Sequence, residues 1–467
     1  MPPRIVTISD HIDCPTGFGT QHRILAVGLG RAGFDVHSLG LWDGRPVAVT
    51  PEGVTRYPGG QGVEDHERAW AMYQALLRPD LVITLGDLEM FAHLAEAERD
   101  FAWCHWLPLD AEPYPRREHE RMLRFDHLVL MSRFALGLVR PHLEGRVPLH
   151  VIPHGVDVRV FQPLDNPAAL RRRWGRRLGV ELRPTDFILI SRDANQWRKQ
   201  QPLLLDALAR MPREVDGRRV RLLFHCHPVA HPRADGWDLE HLARDVYGVG
   251  GQVLFTGRGA ERPELTPSEL AELDNLADLR VSATQGEGFG ILTIEAMACG
   301  TPTLITDYTT SQELVNGTFS LKLAGSRQAL PGSTIENHKS QIGNPLDPFG
   351  PAGELIRVGA WTVEQARHLY RPIIDASDLA AKAVALARDP GRAARYAEAG
   401  LRRVLASYTA EGVMRAWVAL ARRVLGIRPQ MPGVGGEEKA RRSPSPGDRG
   451  NGGGGRRLRL RLLTPNT

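Results

Sequence analysis

The stretch GEGFGILTIEAMACGTPTLITD, Gly286 to Asp307, sets two carboxylates, Glu287 and Glu295, eight positions apart. Glu287 lies in a loop with three glycines, and Glu295 lies in an apolar run that reads as a helix. LRVSAT before the loop and TPTLIT after the helix read as buried strands, so the order is strand, glycine loop, helix, strand. In an open α/β domain, ligands bind at the carboxyl ends of such strands, where glycines let backbone amides approach an anion at a helix N-terminus. A helix opening near Gly290 offers the amides of Gly288, Phe289 and Gly290 to a phosphate or a charged transition state. Glu287 then faces whatever the phosphate is attached to. Glu295, about one and a half turns into the helix, suits vicinal hydroxyls such as those of a ribose.

The same grammar runs outward in both directions. RIVTIS, DVHSLGL, LVITLG, AWCHWLPL, HLVLMS and LHVIPHG are apolar runs separated by turns and helical segments such as TQHRILAVGLGRAG and HERAWAMYQALL. It restarts near residue 185 with FILISR, QPLLLDALARM, VRLLFHCH and QVLFTG. Strands apolar on both faces, alternating with helices, predict two tandem doubly wound, Rossmann-like α/β domains. The boundaries read from the pattern are 1–158 for an N-terminal domain and 159–372 for a C-terminal domain, the linker being VIPHGVDVRVFQPLDNPA. Residues 373–427 read as C-terminal helices packing back across the domains, the first capped by Ser377, and 428–467 as a disordered tail. Residues 316–362, rich in Gly, Pro and Asn, read as a long irregular insertion.

The chain has 467 residues, 42% of them hydrophobic, enough for two cores. Its net charge of +5 comes from the tail, where nine Lys or Arg stand against three Asp or Glu; residues 1–427 sit near −1. A Pro-, Gly- and Arg-rich tail buries little apolar surface. Its basicity suits weak contact with an anionic membrane or nucleic acid, and a solvated appendage is the plainer reading. No apolar run reaches the roughly 18 residues of a membrane span and no signal peptide opens the chain, so a cytoplasmic protein, at most peripheral at a membrane, is expected. The four cysteines lack CxxC spacing, which suits buried thiols rather than zinc or disulfides. The spacing of His225, His227 and His231 could suit zinc, but His225 sits within the apolar run VRLLFHCH and no fourth ligand is obvious, so strand-end packing is the favoured reading.

EGFGILTIE, with its Glu-x7-Glu pattern, and the following AMACGTPTLITD resemble the retaining glycosyltransferases of family four, which have the GT-B fold. That resemblance implies that the two Rossmann-like domains face each other across a cleft. PTGFGTQHRILAVGLGRAGFDVHSLG is similar to that family's N-terminal glycine loop and first helix, VIPHGVD to its interdomain signature, and ISRDANQWRKQQPLLLDAL to its diphosphate-holding segment. The resemblance runs to about residue 426. It implies that Arg192 and Lys199 grip the donor diphosphate, Glu295 holds the nucleoside ribose, Glu287 lies near the transferred sugar, and Gly17 to Gly19 line the opposite lip.

Breaking a sugar–phosphate bond develops negative charge on the departing diphosphate, which fixed cations and amides stabilise. With no Asp-x-Asp pair in the chain, neither metal nor other cofactor is expected beyond a UDP- or GDP-linked sugar donor. A sugar, lipid or other hydroxyl compound is the expected acceptor, and the leaving phosphate is implied to take its proton. One departure is WCHWLPLDAEPYP, where many family members have a His-Asp pair. Here His105 and Asp110 stand five apart, and Asp110, which follows the strand, is favoured as the acceptor-side residue. The rival readings are a phosphorylase or epimerase on the same fold and an inactive scaffold protein that works through its tail.

Overall fold

The computed structural model describes residues 2–427 apart from 43, 92–93, 95–98, 230–234, 258–263, 319–347 and 365–366. The tail, His231 and most of the 316–362 stretch lie outside the described residues.

The N-terminal sheet contains β1 (Arg4–Asp10), β2 (Asp35–Leu41), β3 (Ala48–Val49), β4 (Thr55–Pro58), β5 (Leu81–Leu85), β6 (Ala102–Leu107), β7 (His127–Leu130) and β8 (Leu149–Val151). They lie in the order β3-β4-β2-β1-β5-β6-β7-β8, and every pairing is parallel except that of β3 with β4. β1 pairs on one side with β2, Ile5 opposite Val36, and on the other with β5, Ile5 opposite Leu81. Helices cover both faces, so the central strands bury consecutive residues: Leu81, Val82, Ile83 and Leu85 are all buried.

The C-terminal sheet contains β9 (Phe187–Ser191), β10 (Glu214–Val215), β11 (Arg218–Phe224), β12 (Val253–Phe255), β13 (Leu279–Ser282), β14 (Thr303–Thr306) and β15 (Gly353–Ile356). Its order is β10-β11-β9-β13-β14-β15, with β12 beside β11. Strand order reverses between β9 and β13, the place where an open parallel sheet leaves a crevice for a ligand. Arg192 follows β9, and the loop containing Glu287 follows β13. The helix expected near Gly290 runs Ile291–Ala298, with Gly290 as its N-cap at φ +99°.

Three helices, Ala376–Arg388, Pro390–Ser407 and Ala410–Val424, end the described chain. The last returns to the N-terminal half. Its Met414 lies so close to Gly28 that a Cβ there would fall 2.5 Å from the Met414 Cε, and Trp417 meets Trp106 edge to face at 5.1 Å.

Three expectations need correction. Residues 316–362 are not irregular throughout, because β15 extends the C-terminal sheet beside β14 and β16 (Val358–Glu364) pairs with β17 (Leu369–Ile374) as an antiparallel hairpin. The boundary at 372/373 therefore cuts through β17. The helix Ala376–Arg388 is capped by Asp375 rather than Ser377, its carboxylate accepting from the amides of Ser377 at 2.9 Å and Asp378 at 3.2 Å.

Candidate functional site

A cleft of about 870 Å³ opens between the carboxyl ends of the two sheets. Gly17, Asp110, Arg192, Lys199, Glu287 and Glu295 all line it, as do Gly288, Phe289 and Gly290. Segments far apart in sequence are thus brought to one crevice. Gly17 opens the helix Gly17–Arg31, which Thr16 caps by accepting from the Gly19 amide at 2.9 Å. A Cβ on Gly17 would stand 3.7 Å from Ile291 across the cleft. Gly19 lies off the cleft, where a Cβ would meet the Cys14 carbonyl oxygen at 2.4 Å. That glycine serves the turn into the helix.

The glycine loop touches the opposite domain directly. Gly286, at φ +140°, lies so close to Asp110 that a Cβ would fall 1.9 Å from its carbonyl oxygen, and a Cβ on Gly288 would fall 2.4 Å from the Pro108 Cβ. The Phe289 side chain is buried against His154 (5.3 Å between rings) and Tyr408 (5.4 Å). These residues set how closely the two halves approach. That is a packing demand beyond the anion-binding role read from the sequence.

On the C-terminal wall the charges are already matched. The Arg192 guanidinium donates to Asp274 Oδ1 at 3.0 Å, Asp274 Oδ2 at 2.8 Å and Glu295 Oε2 at 2.6 Å, and only 3% of the residue is exposed. Burial works against its charge, but Asp274 and Glu295 raise its pKa above the ordinary arginine range. Lys199, in the short turn Trp197–Lys199, donates to Glu287 and stands 3.9 Å from Asp193. Both expected diphosphate-binding cations therefore contact carboxylates, including both members of the Glu-x7-Glu pair.

Two further cations, Arg198 and Arg280, line the cleft near these pairs. Arg198, beside Lys199, forms no ion pair among the described residues. Arg280 is 2% exposed, and its Nη2 donates to Asp193 at 3.3 Å, whereas its Nε and Nη1 have no partner among the described residues. A charged residue within the otherwise apolar run LRVS was the available sequence signal for Arg280. For Arg198 there was only adjacency to Lys199.

The N-terminal wall carries a second charged network, supplied from across the cleft by the β16–β17 hairpin. Asp110 accepts from the Arg371 guanidinium, at 2.9 Å through its carbonyl and with 3.1 Å to its carboxylate, and Arg371 also holds Glu364 at 2.8 Å. Burial opposes the Asp110 charge, while Arg371 and Arg198 hold its carboxyl below the usual range. Asp87, just past β5, lies 3.9 Å from Arg367, which pairs with Glu89 at 3.0 Å. Burial and the neighbouring Asp110 push the Asp87 carboxyl up to about 6. His105 is fully buried on β6, bonded to Thr84 at 2.8 Å and stacked on Phe125, with burial lowering its pKa to about 3. Of the His105 and Asp110 pair, only Asp110 reaches the cleft. His154 borders it with both ring nitrogens buried and unpartnered among the described residues. His225 is buried against Thr256 at 2.8 Å.

Residues 184–330 match the family described as Glycosyl transferases group 1. The chain is 33% identical over 195 residues to the D-inositol 3-phosphate glycosyltransferase of Corynebacterium kroppenstedtii, an alignment covering 41% of each chain. It is 35% identical over 156 residues to the one from Geodermatophilus obscurus, covering 32% of this chain and 31% of that one. The matched region thus spans less than half the length of these curated relatives. Among solved structures, sucrose-phosphate synthase from Thermosynechococcus elongatus superposes with a TM-score of 0.66 at 19% identity, covering 91% of this chain and all of that one. Anabaena HepE in complex with UDP and glucose superposes with a TM-score of 0.61 at 14% identity, covering 90% of this chain and 100% of that one. These neighbours are GT-B glycosyltransferases, and the two facing Rossmann-like sheets have the GT-B fold. Among the described residues no helix is long and apolar enough to cross a membrane.

Proposed function

We propose that this protein is a retaining glycosyltransferase that moves a hexose from a UDP- or GDP-sugar to an acceptor hydroxyl. The observation that carries this reading is the convergence of Arg192, Lys199, Glu287 and Glu295 on one interdomain cleft, at the switch point of the C-terminal sheet. The matched group 1 family segment spans all four residues. The names of the curated relatives, which include a phosphorylated cyclitol, suggest a polyhydroxylated acceptor.

Glu295, held by Arg192, accepts from the ribose hydroxyls. Lys199, Arg198 and Arg280, with the amides at the start of the helix Ile291–Ala298, face the diphosphate and stabilise the charge it gains as the anomeric bond breaks. The bond from the anomeric carbon to the phosphate oxygen breaks with its electron pair leaving on the diphosphate. The acceptor oxygen bonds to that carbon on the same face and gives its proton to the departing phosphate. Glu287 orients Lys199 and the transferred sugar. Close approach of the halves through Gly286 and Gly288 excludes water that would hydrolyse the donor.

A thermal-shift screen with UDP, GDP, ADP and their sugars tests the reading, because a ligand bound only by the folded state raises the melting point. A rise with UDP or GDP that disappears in Glu295→Ala is the expected result. No response to any nucleotide counts against the assignment.

A further inference from the structure

Beyond the Lys199–Glu287 pair the cleft ends in a compartment built by both halves. β5 and β6 of the N-terminal sheet bring Asp87 and Asp110, and the β16–β17 hairpin brings Glu364, Arg367 and Arg371. The hairpin is tied to the N-terminal half at Glu112. Its Tyr370 amide donates to the Glu112 carbonyl at 3.2 Å, and the Tyr308 hydroxyl accepts from the Glu112 amide at 2.9 Å and donates to the Tyr370 carbonyl at 3.1 Å. This is a built wall with fixed side chains.

Its charges exclude one class of ligand. Arg371 is shared by Asp110 and Glu364, and Arg367 by Glu89 at 3.0 Å, Glu364 at 3.8 Å and Asp87 at 3.9 Å. Four carboxylates thus face two guanidinium groups. Arg198 is a further cation whose field reaches both Asp87 and Asp110. A phosphate entering here would meet Asp87, Asp110 and Glu364, and of the guanidinium groups that line this part only Arg198, which also borders Lys199 and the proposed diphosphate, is not already paired with a carboxylate among the described residues. Of the two aspartates that line the compartment Asp87 is the more open: its side chain is 47% exposed, against 26% for Asp110, and its cation is at the limit of ion pairing. An ionised carboxylate only accepts, and suits paired hydroxyl donors.

Building on the glycosyltransferase reading, we infer that this compartment is the acceptor subsite and that it selects a neutral polyhydroxylated acceptor, a sugar or cyclitol carrying no phosphate, with Asp87 accepting from its hydroxyls. Asp87 orients the acceptor, and the transferred proton still leaves on the diphosphate. The Arg367 and Arg371 guanidinium groups hold the carboxylates in place and leave no cationic pocket for an anionic acceptor.

The test uses the full chain and follows release of nucleoside diphosphate from UDP-glucose, UDP-N-acetylglucosamine and GDP-mannose. Acceptors are supplied in pairs: glucose with glucose 6-phosphate, and myo-inositol with myo-inositol 1-phosphate. At least one neutral member is expected to accelerate release, with kcat/KM at least tenfold above that of its phosphorylated partner. Asp87→Asn is expected to raise the acceptor KM more than it lowers kcat and to narrow that ratio. Arg367→Gln, which leaves the compartment more negative, is expected to widen it. A preference for the phosphorylated member, or a ratio unmoved in both variants, overturns the inference. So does failure of every neutral acceptor while UDP or GDP still raises the melting temperature, an outcome that leaves the donor reading standing. Loss of any nucleotide response refutes both together.

Discussion

Arg192 and Asp274 form a buried two-point ion pair, Nε to Oδ1 at 3.0 Å and Nη2 to Oδ2 at 2.8 Å, and the same Nη2 reaches Glu295 Oε2 at 2.6 Å. Asp274 lies on the helix Pro267–Leu276, a segment in which the sequence pointed to no site residue. The pair fixes the plane of the guanidinium and therefore the place of Glu295. In the proposed function Arg192 would then act on the nucleotide largely through that carboxylate.

Removing Asp274 leaves a guanidinium buried beside one acid instead of two. Asp274→Ala is expected to cost on the order of 3–5 kcal/mol, the usual penalty for breaking a buried pair, measured by urea denaturation. Arg192→Lys keeps the charge and loses the planar fork, so nucleotide affinity should fall about tenfold, or ~1.4 kcal/mol. Calorimetry giving wild-type UDP and GDP affinities for Arg192→Lys would contradict the positioning role.

The Glu287 carboxylate accepts from Lys199 and so holds it. Glu287→Gln weakens that contact and removes a carboxylate from where the proposed function places the transferred sugar. Turnover should drop on the order of 10²-fold, the scale of losing one preorganised electrostatic group, while affinity for the nucleotide alone changes little. Steady-state kinetics beside nucleotide titration separates the two, and an equal loss in both would move Glu287 into the nucleotide site.

Gly288→Ala places a Cβ 2.4 Å from Pro108. Because the neighbour belongs to the other half of the molecule, the strain should hold the halves apart as well as destabilise the fold, by about 1–3 kcal/mol. Small-angle scattering should report a larger radius of gyration for the variant. An unchanged profile would mean that the loop yields instead.

Glu313 sits on the helix Ser311–Asn316 and accepts from the Arg133 amide at 2.8 Å and the Phe134 amide at 3.4 Å, across the boundary between the halves. Burial pushes its carboxyl up to about 7, against about 4.3 in an unfolded chain. Between these values the folded state binds a proton that the unfolded state has released. Its contribution to stability is therefore present near pH 4 and is lost as pH rises to 7, at up to about 1.4 kcal/mol per pH unit. Glu313→Gln should remove that slope. Denaturant titrations at several pH values compare the two proteins, and parallel profiles would show that Glu313 does not titrate there.

Much of the C-terminal wall of the cleft was legible because it is local. Glu287, Gly290 and Glu295 share one loop and one helix, whose spacing alone sets their geometry, and the apolar runs mark the strands that carry them. The β16–β17 hairpin was missed because it forms among Gly- and Pro-containing residues with weak alternation, where exposed Trp361, Val363 and Tyr370 blur the inside-outside pattern. Asp87 was missed because a single acid after a strand carries no period.

The order of buried strands and helices by itself determined two Rossmann-like sheets, since chain-local periodicity decides which faces must leave water. It also determined which loops stand at strand ends. Only the tertiary structure decided that Arg192 answers to Asp274, that Gly286 and Gly288 are small because Asp110 and Pro108 approach them, and that a hairpin near residue 370 closes on an acid near residue 110. Those relationships join residues more than 80 positions apart, and a contact of that range depends on how two rigid halves dock, which no local spacing encodes.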